Sequence, residues 1–436
     1  MELDPPSKDD FYLPPKGYET SKPGDILKIR SPPSKLASNY IPIHIKQAWQ
    51  ILIRSEDSFG NPNTIVTTII QPHNADPKKV ISYQTYEDSA NIDCSPSYGF
   101  LFGSSFATVA TQTDMTLMVM ALQRGYYVVS PDYEGPKSTF TVGRQSGQAV
   151  LNSIRAALKS GAFTGIDKDA KVAMWGYSGG SLASSWAASL QPEYAPDLGD
   201  ALIGVALGGF VTNITATAEA TDGTIFAGLI ANALAGLANE YPDFKDRIYK
   251  LANPMHILPL SYGDKYFLVP SVMNYIGSRF FKGLWSVFPQ GFGVLNDAII
   301  GKVVKDNSLI YLAEDLMPRI PIFVYHGSLD SIVPIVGAKG IYDIWCQNNI
   351  NSFEFAEDAT TGHLAETIVG APAAWTWIEQ RFDGIEPVRG CSHVVRVSNF
   401  LYPGVESATL QYFKGLFDTF IHSPLGPYDK ASTKSN

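Results

Sequence analysis

Short apolar runs alternate with helical stretches through the first half of the chain. Apolar or alternating runs of about four to eight residues, each bounded by polar turn residues, predict β-strands. Stretches with helical spacing come between the later runs, and Gly125 marks the end of one such helix. A repeated order of strand and helix is typical of a parallel sheet covered on both faces. The predicted strands cover residues 49–53, 64–71, 79–84, 126–129 and 171–175, and the predicted helices cover 114–124 and 149–160.

The alternation stops near Gly208. Residues 208–307 are rich in Ala, Leu and Phe and predict helices without a convincing strand. We interpret them as an inserted all-helical cap, with residues 1–207 and 308–436 as two parts of one core domain that begins with an N-terminal arm of about 40 residues. Two tandem domains are the alternative. Strands and a helix return after the cap, at 320–325, 351–356 and 371–382.

The composition describes a globular protein. Of 436 residues, 45% are hydrophobic and 17% are charged, which is more apolar and less charged than a disordered chain. The net charge is −9 and the sequence has no basic stripe, so nucleic acid is not an expected partner. The most apolar window, 224–238, is shorter than the ~20 residues of a membrane-spanning helix and contains Asn232. We therefore expect a buried helix there and no transmembrane anchor.

The cysteines and the amino terminus bear on the cellular compartment. Cys346 and Cys391 bracket a compact C-terminal stretch and are predicted to form a disulfide, which leaves Cys94 as a free thiol. Asn213 begins a glycosylation sequon, which is compatible with secretion. The first residues have neither the basic nor the apolar region of a signal peptide, so we expect the signal peptide to be absent from this sequence.

The run Gly176-Tyr177-Ser178-Gly179-Gly180 directly follows the predicted strand 171–175, and a helix is predicted from Ser181. A serine at the apex of such a tight strand-to-helix turn sits in strained backbone, which requires small neighbours. Ser178 is the predicted nucleophile. The N–H of Gly179, at the start of the helix, is a predicted oxyanion donor. An ordinary Gly-rich turn is the alternative.

A serine hydroxyl needs a general base, and on this arrangement of strands the chain order is Ser, acid, His. His363 lies in the loop between the strand 351–356 and the next helix, and it is the predicted base. Asp330 follows the strand 320–325, where a carboxylate can hold the imidazole, and it is the predicted acid. Asp330 follows a strand that comes after the cap, and this position favours one discontinuous core domain over two tandem domains. The competing acids are Asp315, Asp343 and Asp358, and the competing histidines are His326, His393 and His422.

The second oxyanion donor is expected in the loop after the strand 79–84. This loop is Thr85-Tyr86-Glu87-Asp88-Ser89, and we predict the backbone N–H of Asp88 as the donor, with its side chain assisting. An Asx turn without a catalytic part is the alternative. The predicted substrate-binding residues are Tyr86, Tyr177, Phe226, Leu229 and Ile230, of which the last three could equally belong to the core of the cap.

The sequence contains none of the short motifs that hold metals or nucleotides. His-Glu-x-x-His, Cys-x-x-Cys and Gly-x-x-x-x-Gly-Lys are all absent from it. We therefore expect no metal and no cofactor.

Taken together, these motifs resemble the fungal secretory lipase family over nearly the whole chain. The resemblance rests on the loop 86–89, the serine run 176–180, the run 326–334 (HGSLDSIVP) and Gly362-His363. It implies an α/β-hydrolase fold, hydrolysis of triacylglycerols and other esters, a helical cap that forms an acyl tunnel, a C-terminal flap over the entrance, and an extracellular location. It also implies the oxyanion roles of Asp88 and Gly179. Members usually carry four cysteines, so the missing partner of Cys94 is a departure.

The expected function is that of a secreted lipase or carboxylic ester hydrolase with Ser178, Asp330 and His363 as its triad. The expected partners are a lipid ester substrate and the lipid–water interface, and a monomer is expected. An acyltransferase that prefers alcohols to water is the nearest alternative, because some members that resemble this chain have that activity. A serine peptidase and a non-catalytic binding protein on the same fold are further alternatives.

Overall fold

The computed structural model describes residues 3–427 and contains, in that range, a ten-stranded mixed sheet and a separate two-stranded ribbon. The strands are β1 Ile26–Arg30, β2 Ala37–Ser38, β3 Ile41–Pro42, β4 Gln47–Glu56, β5 Pro62–Gln71, β6 Asp76–Gln84, β7 Tyr126–Pro131, β8 Lys171–Tyr177, β9 Leu202–Gly208, β10 Ile322–Gly327, β11 Ser352–Asp358 and β12 Gly390–Arg396. Strands β2 and β3 form the ribbon.

The large sheet has the strand order β1-β4-β5-β7-β6-β8-β9-β10-β11-β12. From β7 to β12 all neighbouring strands are parallel. Strands β1, β4 and β5 extend the sheet in antiparallel pairs. The carboxyl ends of the parallel strands therefore meet along one edge, which is where ligands bind in sheets of this kind.

Helices cover both faces of the sheet, as the alternation in the sequence predicts. Helices α3, α5 and α12 pack on one face, with Trp186 and Trp345 in the core. Helices α2, α14 and α15 pack on the other, with Met118 and Trp375 in the core. The helices are α1 Pro96–Gly99, α2 Val109–Gln123, α3 Gly143–Lys159, α4 Gly161–Thr164, α5 Gly179–Tyr194, α6 Ile214–Thr221, α7 Gly228–Glu240, α8 Pro242–Leu251, α9 Leu258–Ser261, α10 Leu268–Asn274, α11 Ala298–Asp306, α12 Ile335–Gln347, α13 His363–Val369, α14 Ala371–Phe382 and α15 Val405–Phe420.

Strands β7 and β10 are buried along their whole length. Their sequences, YYVVSP and IFVYHG, are continuously apolar in their first halves rather than alternating, because helices cover both faces of a parallel sheet. The prediction of a mostly parallel sheet with helices on both faces is confirmed, and the architecture is that of an α/β-hydrolase.

Between β9 and β10 the described chain forms helices α6 to α11 and no strand. These helices enclose an apolar core of their own, which includes Leu237, Phe244, Phe280 and Ile300. Cap helices are held together by this core because each helix buries an apolar face against the others. The bounds of the three segments, 1–207, 208–307 and 308–436, stay a prediction.

Three strands of the large sheet were not predicted. Strand β9 (LIGVALG) is a continuous apolar run, so its sequence does contain the pattern of a buried strand. Strand β1 lies within the predicted surface arm and pairs with β4, so the arm contributes an edge of the sheet. Strand β12 pairs with β11 at the opposite edge, and most of its side chains are at least partly exposed, which removes the apolar pattern that identifies a strand.

Cys346 and Cys391 form a disulfide, as predicted, and it joins the end of α12 to β12. Cys94 is a buried free thiol. None of the helices in the described range is both long and apolar enough to cross a bilayer. The window 224–238 instead contributes to α7, whose residues Ile230, Leu234 and Leu237 are buried in the cap core.

Candidate active site

Ser178 stands at the turn between β8 and α5. Its backbone has φ 53° and ψ −120°, a left-handed φ that is rare for a residue with a side chain and signals local strain. Two hydrogen bonds fix this backbone conformation. Ser178 N–H donates to Gly208 O at 2.9 Å, and Ser181 N–H donates to Ser178 O. The turn therefore presents Oγ at the carboxyl end of the sheet.

The glycines on either side of Ser178 are required by space. A Cβ at position 176 would lie 2.2 Å from Gly180 O, and one at position 180 would lie 2.0 Å from Gln84 O. A Cβ at position 179 would lie 1.7 Å from Asp88 Oδ1. The run therefore has no room for larger residues at these positions, which is the requirement of small neighbours that the motif predicts.

Ser178, His363 and Asp330 form a continuous line of hydrogen bonds. Ser178 Oγ donates to His363 Nε2 at 2.8 Å. His363 Nδ1 donates to Asp330 Oδ2 at 2.6 Å. His363 and Asp330 are buried and Ser178 is partly exposed, so a substrate can reach the hydroxyl while the two partners are shielded from water.

The Asp330 carboxylate is held by four donors. Oδ1 accepts the backbone N–H groups of Ile332 and Val333 at 2.9 and 2.7 Å. Oδ2 accepts from His363 and lies 3.2 Å from Nε2 of His326. Burial alone would raise the pKa of Asp330, but the hydrogen bonds from His326 and His363 outweigh it and hold the pKa well below its usual range. Asp330 is therefore ionised at neutral pH.

His326, one of the competing histidines in the sequence, is a part of the site but not in the position of the base. Phe210 N–H donates to its Nδ1 at 3.1 Å, so its proton is on Nε2, between Val333 O at 2.9 Å and Asp330. It is fully buried and faces the acid rather than the nucleophile. The only sequence signal for this role was its place four residues before Asp330.

The competing groups serve other contacts. Asp358 accepts the N–H groups of Thr360 and Thr361 through Oδ1, and that of Asn399 through Oδ2, so it shapes the loop that carries His363. His393 lies on β12 and contacts Glu357 at 2.7 Å.

Tyr177, a predicted substrate-binding residue, does not line the cavity beside Ser178, and its contact with substrate stays a prediction. Its side chain is 1% exposed and packs behind the site, with its ring 5.2 Å from the His363 ring. Its hydroxyl donates to the backbone O of His363 at 2.6 Å. The side chain points to the opposite side of the strand end from the Ser178 hydroxyl, so Tyr177 supports the His363 loop.

Asp88 lies directly against Gly179. Its backbone is left-handed, with φ 49°, and Asn232 of α7 donates to its carbonyl O at 2.8 Å. Among the described residues its carboxyl Oδ1 has no hydrogen-bond partner although it is buried. Burial raises the pKa of Asp88 to about 7. Below that pH the carboxyl is neutral and can donate a hydrogen bond next to Ser178.

A narrow apolar cavity of about 50 Å³ opens beside Ser178, Gly179 and Asp88. Leu229 and Ile230 line it, and among the described residues its lining ends at Val333. Helix α15 packs against α2 and α14. The flap over the entrance stays a prediction.

Two further predicted substrate residues, Phe226 and Tyr86, do not line this cavity, and their contact with substrate stays a prediction. Phe226 lines a separate surface depression with Ile276 and Ser331, because it precedes the first turn of α7. Tyr86 packs against the core beneath α2, and its backbone N–H donates to Asp114 Oδ2.

A second narrow apolar cavity, also of about 50 Å³, continues into the cap. Ile214, Ala218, Ile230 and Ala233 line both cavities, so these four residues stand between them. The far end is aromatic, with Phe281, Phe288 and Phe292. The described residues hold no group of three or more His, Cys, Asp or Glu side chains arranged to bind a metal.

Comparisons with known proteins agree with this geometry. A family model described as "Secretory lipase" matches residues 100–390. Lipase 1 of Candida albicans (strain SC5314 / ATCC MYA-2876) is 59% identical to this chain over 422 residues, which cover 97% of this chain and 90% of that protein. Lipase 7 of the same strain is 40% identical and covers 96% of this chain and 93% of its own length.

Solved structures show the same architecture. The closed state of Candida antarctica lipase A superposes with a TM-score of 0.83 at 27% identity and covers 98% of this chain and 99% of its own. The rice cell wall degrading esterase LipA from Xanthomonas oryzae has a TM-score of 0.61 at 13% identity over 84% of this chain and 100% of its own, which is a likeness of fold alone. Since the family model covers more than half of the sequence, and since Lipase 1 is similar over almost the whole length, this chain belongs to the secretory lipase family.

Proposed function

We propose that this protein is a secreted lipase that hydrolyses fatty-acyl esters through an acyl-enzyme on Ser178. The observation that carries the proposal is the line of hydrogen bonds from Ser178 Oγ to His363 Nε2 and from His363 Nδ1 to Asp330 Oδ2. A nucleophile, a base and an orienting carboxylate at these distances are what acyl transfer requires.

In the first half of the reaction, Ser178 Oγ attacks the ester carbonyl carbon and its proton passes to His363 Nε2. Asp330, ionised and held by four donors, stabilises the imidazolium that forms. The Gly179 N–H at the start of α5 and the neutral Asp88 carboxyl donate to the oxyanion. The ester C–O bond then breaks, and His363 returns the proton to the departing alcohol.

In the second half, water attacks the acyl carbon and gives a proton to His363. The bond between the acyl carbon and Ser178 Oγ breaks, Ser178 regains its proton, and the carboxylic acid leaves. The backbone N–H of Asp88 stays a predicted donor beside its side chain.

The acyl chain is proposed to occupy the two apolar cavities of the cap. Each is about 50 Å³, whereas an apolar cavity of roughly 150 Å³ is known to hold a benzene molecule. A fatty-acyl chain therefore requires the cap helices to move apart, so the structure corresponds to a closed conformation. An acyl chain that lies against Ile230 and Ala233 in this narrow passage would then fit best if it were unbranched.

Secretion is supported by membership of a secretory family and by the disulfide between Cys346 and Cys391, because disulfides persist in oxidising compartments. A lipid ester follows from the same family and from the apolar lining of both cavities.

The decisive experiment measures hydrolysis of a long-chain p-nitrophenyl ester by the parent protein and by Ser178→Ala. We expect a loss of at least about a thousand-fold. Ser185→Ala, a buried serine on the same helix whose hydroxyl donates only to Leu182 O, is the matched control and should remain active. A phosphonate ester should add its mass to Ser178 alone. Full activity of Ser178→Ala would refute the proposal.

The acyl acceptor is tested in the same assay with dilute methanol. Fatty acid as the main product supports the hydrolase. Methyl ester as the main product would replace the hydrolase by an acyltransferase that uses the same acyl-enzyme.

A further inference from the structure

Helix α15 carries large apolar side chains on both of its sides, since Val405 and Tyr412 are buried whereas Leu410, Phe413, Phe417 and Phe420 are exposed. Ala408, Gly415 and Thr419 face the protein. A Cβ at position 415 would lie 2.7 Å from Val119 Cγ1, so the backbone of α15 packs closely on α2. A surface helix of a globular protein usually turns one apolar face to the core and a polar face to water, whereas α15 has large apolar residues on its exposed side as well.

The exposed face of α15 is mainly apolar, with Lys414 at its margin. Leu410 and Phe420 are 71% and 70% exposed, and Phe413 and Phe417 are 56% and 60% exposed. The spacing of three and four residues puts them on one side of the helix. Between 407 and 421 the helix carries two charged residues, Lys414 and the buried Asp418, which pair with each other. We call Leu410, Phe413, Phe417, Phe420 and Ile421 the α15 stripe.

A basic groove adjoins the end of the α15 stripe. It has a volume of about 650 Å³, and Lys35, His44, Lys46 and His422 line it. None of the described residues that line it is Asp or Glu, although the chain as a whole has a net charge of −9. The groove is therefore basic although the chain as a whole is acidic.

The stripe and the groove are parts of one surface. His422 directly follows Ile421, and its Nδ1 donates to the backbone O of Pro42 on β3 at 3.0 Å. The chain after it pairs with His44, whose O accepts from Leu425 N–H at 2.8 Å. This pairing lies beside Gly125, at the amino end of β7. The groove is thus at the opposite end of the sheet from Ser178.

We propose that the α15 stripe and the basic groove together form a docking surface for a lipid membrane with anionic headgroups, separate from the entrance to Ser178. The apolar side chains enter the boundary between headgroups and acyl chains, as an interfacial helix does. The lysines and histidines of the groove contact the phosphates. The surface attaches the protein to a membrane without covering the site at the other end of the sheet.

A second copy of the chain fits these observations less well. At 1.5 Å per residue, the stripe from Leu410 to Ile421 is about 16 Å long. One helix face of this length buries much less than the ~800 Å² per partner of a standard interface. Two copies would also bring two basic grooves of the same sign close together. A lipid surface satisfies both parts, because it supplies apolar and anionic groups side by side.

The test uses full-length protein carrying Ser178→Ala, which cannot turn over lipid, so its outcome does not depend on the proposed catalytic role. Partition onto sonicated vesicles is measured by sedimentation, with phosphatidylcholine alone and with phosphatidylcholine mixed with phosphatidylglycerol. We expect tighter binding to the mixed vesicles and weakening by salt, since salt screens exposed charges. Inorganic phosphate should compete only at concentrations that also act as salt.

Matched variants identify the surface. Phe413→Ser/Phe417→Ser should weaken binding to both vesicles by at least about ten-fold. Its control is Leu13→Ser/Phe59→Ser, which changes two residues of equal exposure, 58% and 60%, outside the surface. Lys35→Gln/Lys46→Gln should weaken binding to mixed vesicles by about five-fold for each lysine, and Lys168→Gln/Lys250→Gln, with the same net charge, should not.

Both α15 and groove variants should hydrolyse a soluble short-chain ester at the parent rate in the Ser178 protein. Equal binding of the α15 variant and its control would overturn the proposal. So would binding that ignores phosphatidylglycerol, or light scattering that shows a parent dimer and an α15-variant monomer, because the stripe would then be a contact between copies.

Discussion

Asp88 and Gly179 show how two residues from distant parts of the chain share one position at the reacting end of the sheet. The carboxyl of Asp88 occupies the space that a side chain at position 179 would need. Glycine at 179 therefore does two things, since it leaves its N–H unobstructed at the helix start and admits the carboxyl. A buried carboxyl with a raised pKa acts as a hydrogen-bond donor over a limited pH range.

This predicts a pH dependence that belongs to one residue. As pH rises through about 7, Asp88 ionises and places a negative charge beside the oxyanion, so kcat/KM of the parent should fall. Asp88→Asn keeps an N–H donor that does not ionise, and its kcat/KM should fall less on the alkaline side. Asp88→Ala should lose about a hundred-fold relative to the parent below pH 7, and less above it, where the parent's own carboxyl no longer donates. Profiles of kcat/KM against pH that coincide for parent and Asp88→Asn would contradict this role.

At the scale of the element, helix α7 connects the site to the cap. Its Asn232 supports the Asp88 carbonyl, while Ile230 and Ala233 line both apolar cavities. A movement of α7 would therefore change the oxyanion loop and the acyl cavities together.

Ala233→Phe should shorten the preferred acyl chain. The larger side chain fills the place where the first cavity meets the second, so a long chain loses its path while a short one does not. We expect activity on a sixteen-carbon p-nitrophenyl ester to drop at least about ten-fold relative to that on a four-carbon ester. The four-carbon substrate is the internal control for folding, and an unchanged ratio would rule out this path.

The disulfide acts on a different element, the edge strand β12. Cys346 and Cys391 are separated by 45 residues, and closing a loop of that length stabilises the folded state by about 4 kcal/mol in the chain-entropy description. Cys346→Ser/Cys391→Ser should lower the free energy of unfolding by an amount of this order, as measured by urea denaturation. A chain with both cysteines replaced and an unchanged midpoint would show that the sheet edge holds without the bridge.

At the scale of the whole molecule, several carboxyls are buried without a cation. Burial is the main cause that raises the pKa of Asp88 and Asp132 to about 7, and of Asp114 and Glu366 to about 8. In the unfolded chain these groups titrate near pH 4. Between these values the folded protein binds more protons than the unfolded one.

Stability should therefore fall as pH rises from about 5 to about 9, because the contribution of each raised group is complete below its unfolded pKa and is lost through its folded pKa. The effect of Asp330 on stability is opposite in sign. Its pKa is lower in the folded protein than in the unfolded chain, so its contribution is lost only as pH falls below the pKa of the unfolded chain. The maximum should lie on the mildly acidic side. Unfolding free energies that stay level or increase from pH 5 to pH 9 would contradict this account.

Much of the fold and of the site could be predicted from local patterns in the sequence. The strand-to-helix turn at Ser178, the order of Ser178, Asp330 and His363, and the pairing of Cys346 with Cys391 all follow from neighbouring residues, spacing or a covalent constraint. The central strands were predictable because burial on both faces imposes continuous apolar runs. Strand β12, which is largely exposed, carried no such signal.

Other features were decided only by the tertiary structure, because they depend on contacts between elements that are far apart in sequence. The sequence alone could not show that His326 shares the Asp330 carboxylate, since this follows from how β10 ends beside Phe210. Nor could it show that Tyr177 faces the back of the site, or that α15 turns its phenylalanines outward. The apolar residues of α15 do not by themselves show which of them are buried. The close approach of Gly415 to Val119 on α2, together with the burial of Val405 and Tyr412, decides which side of the helix faces the protein.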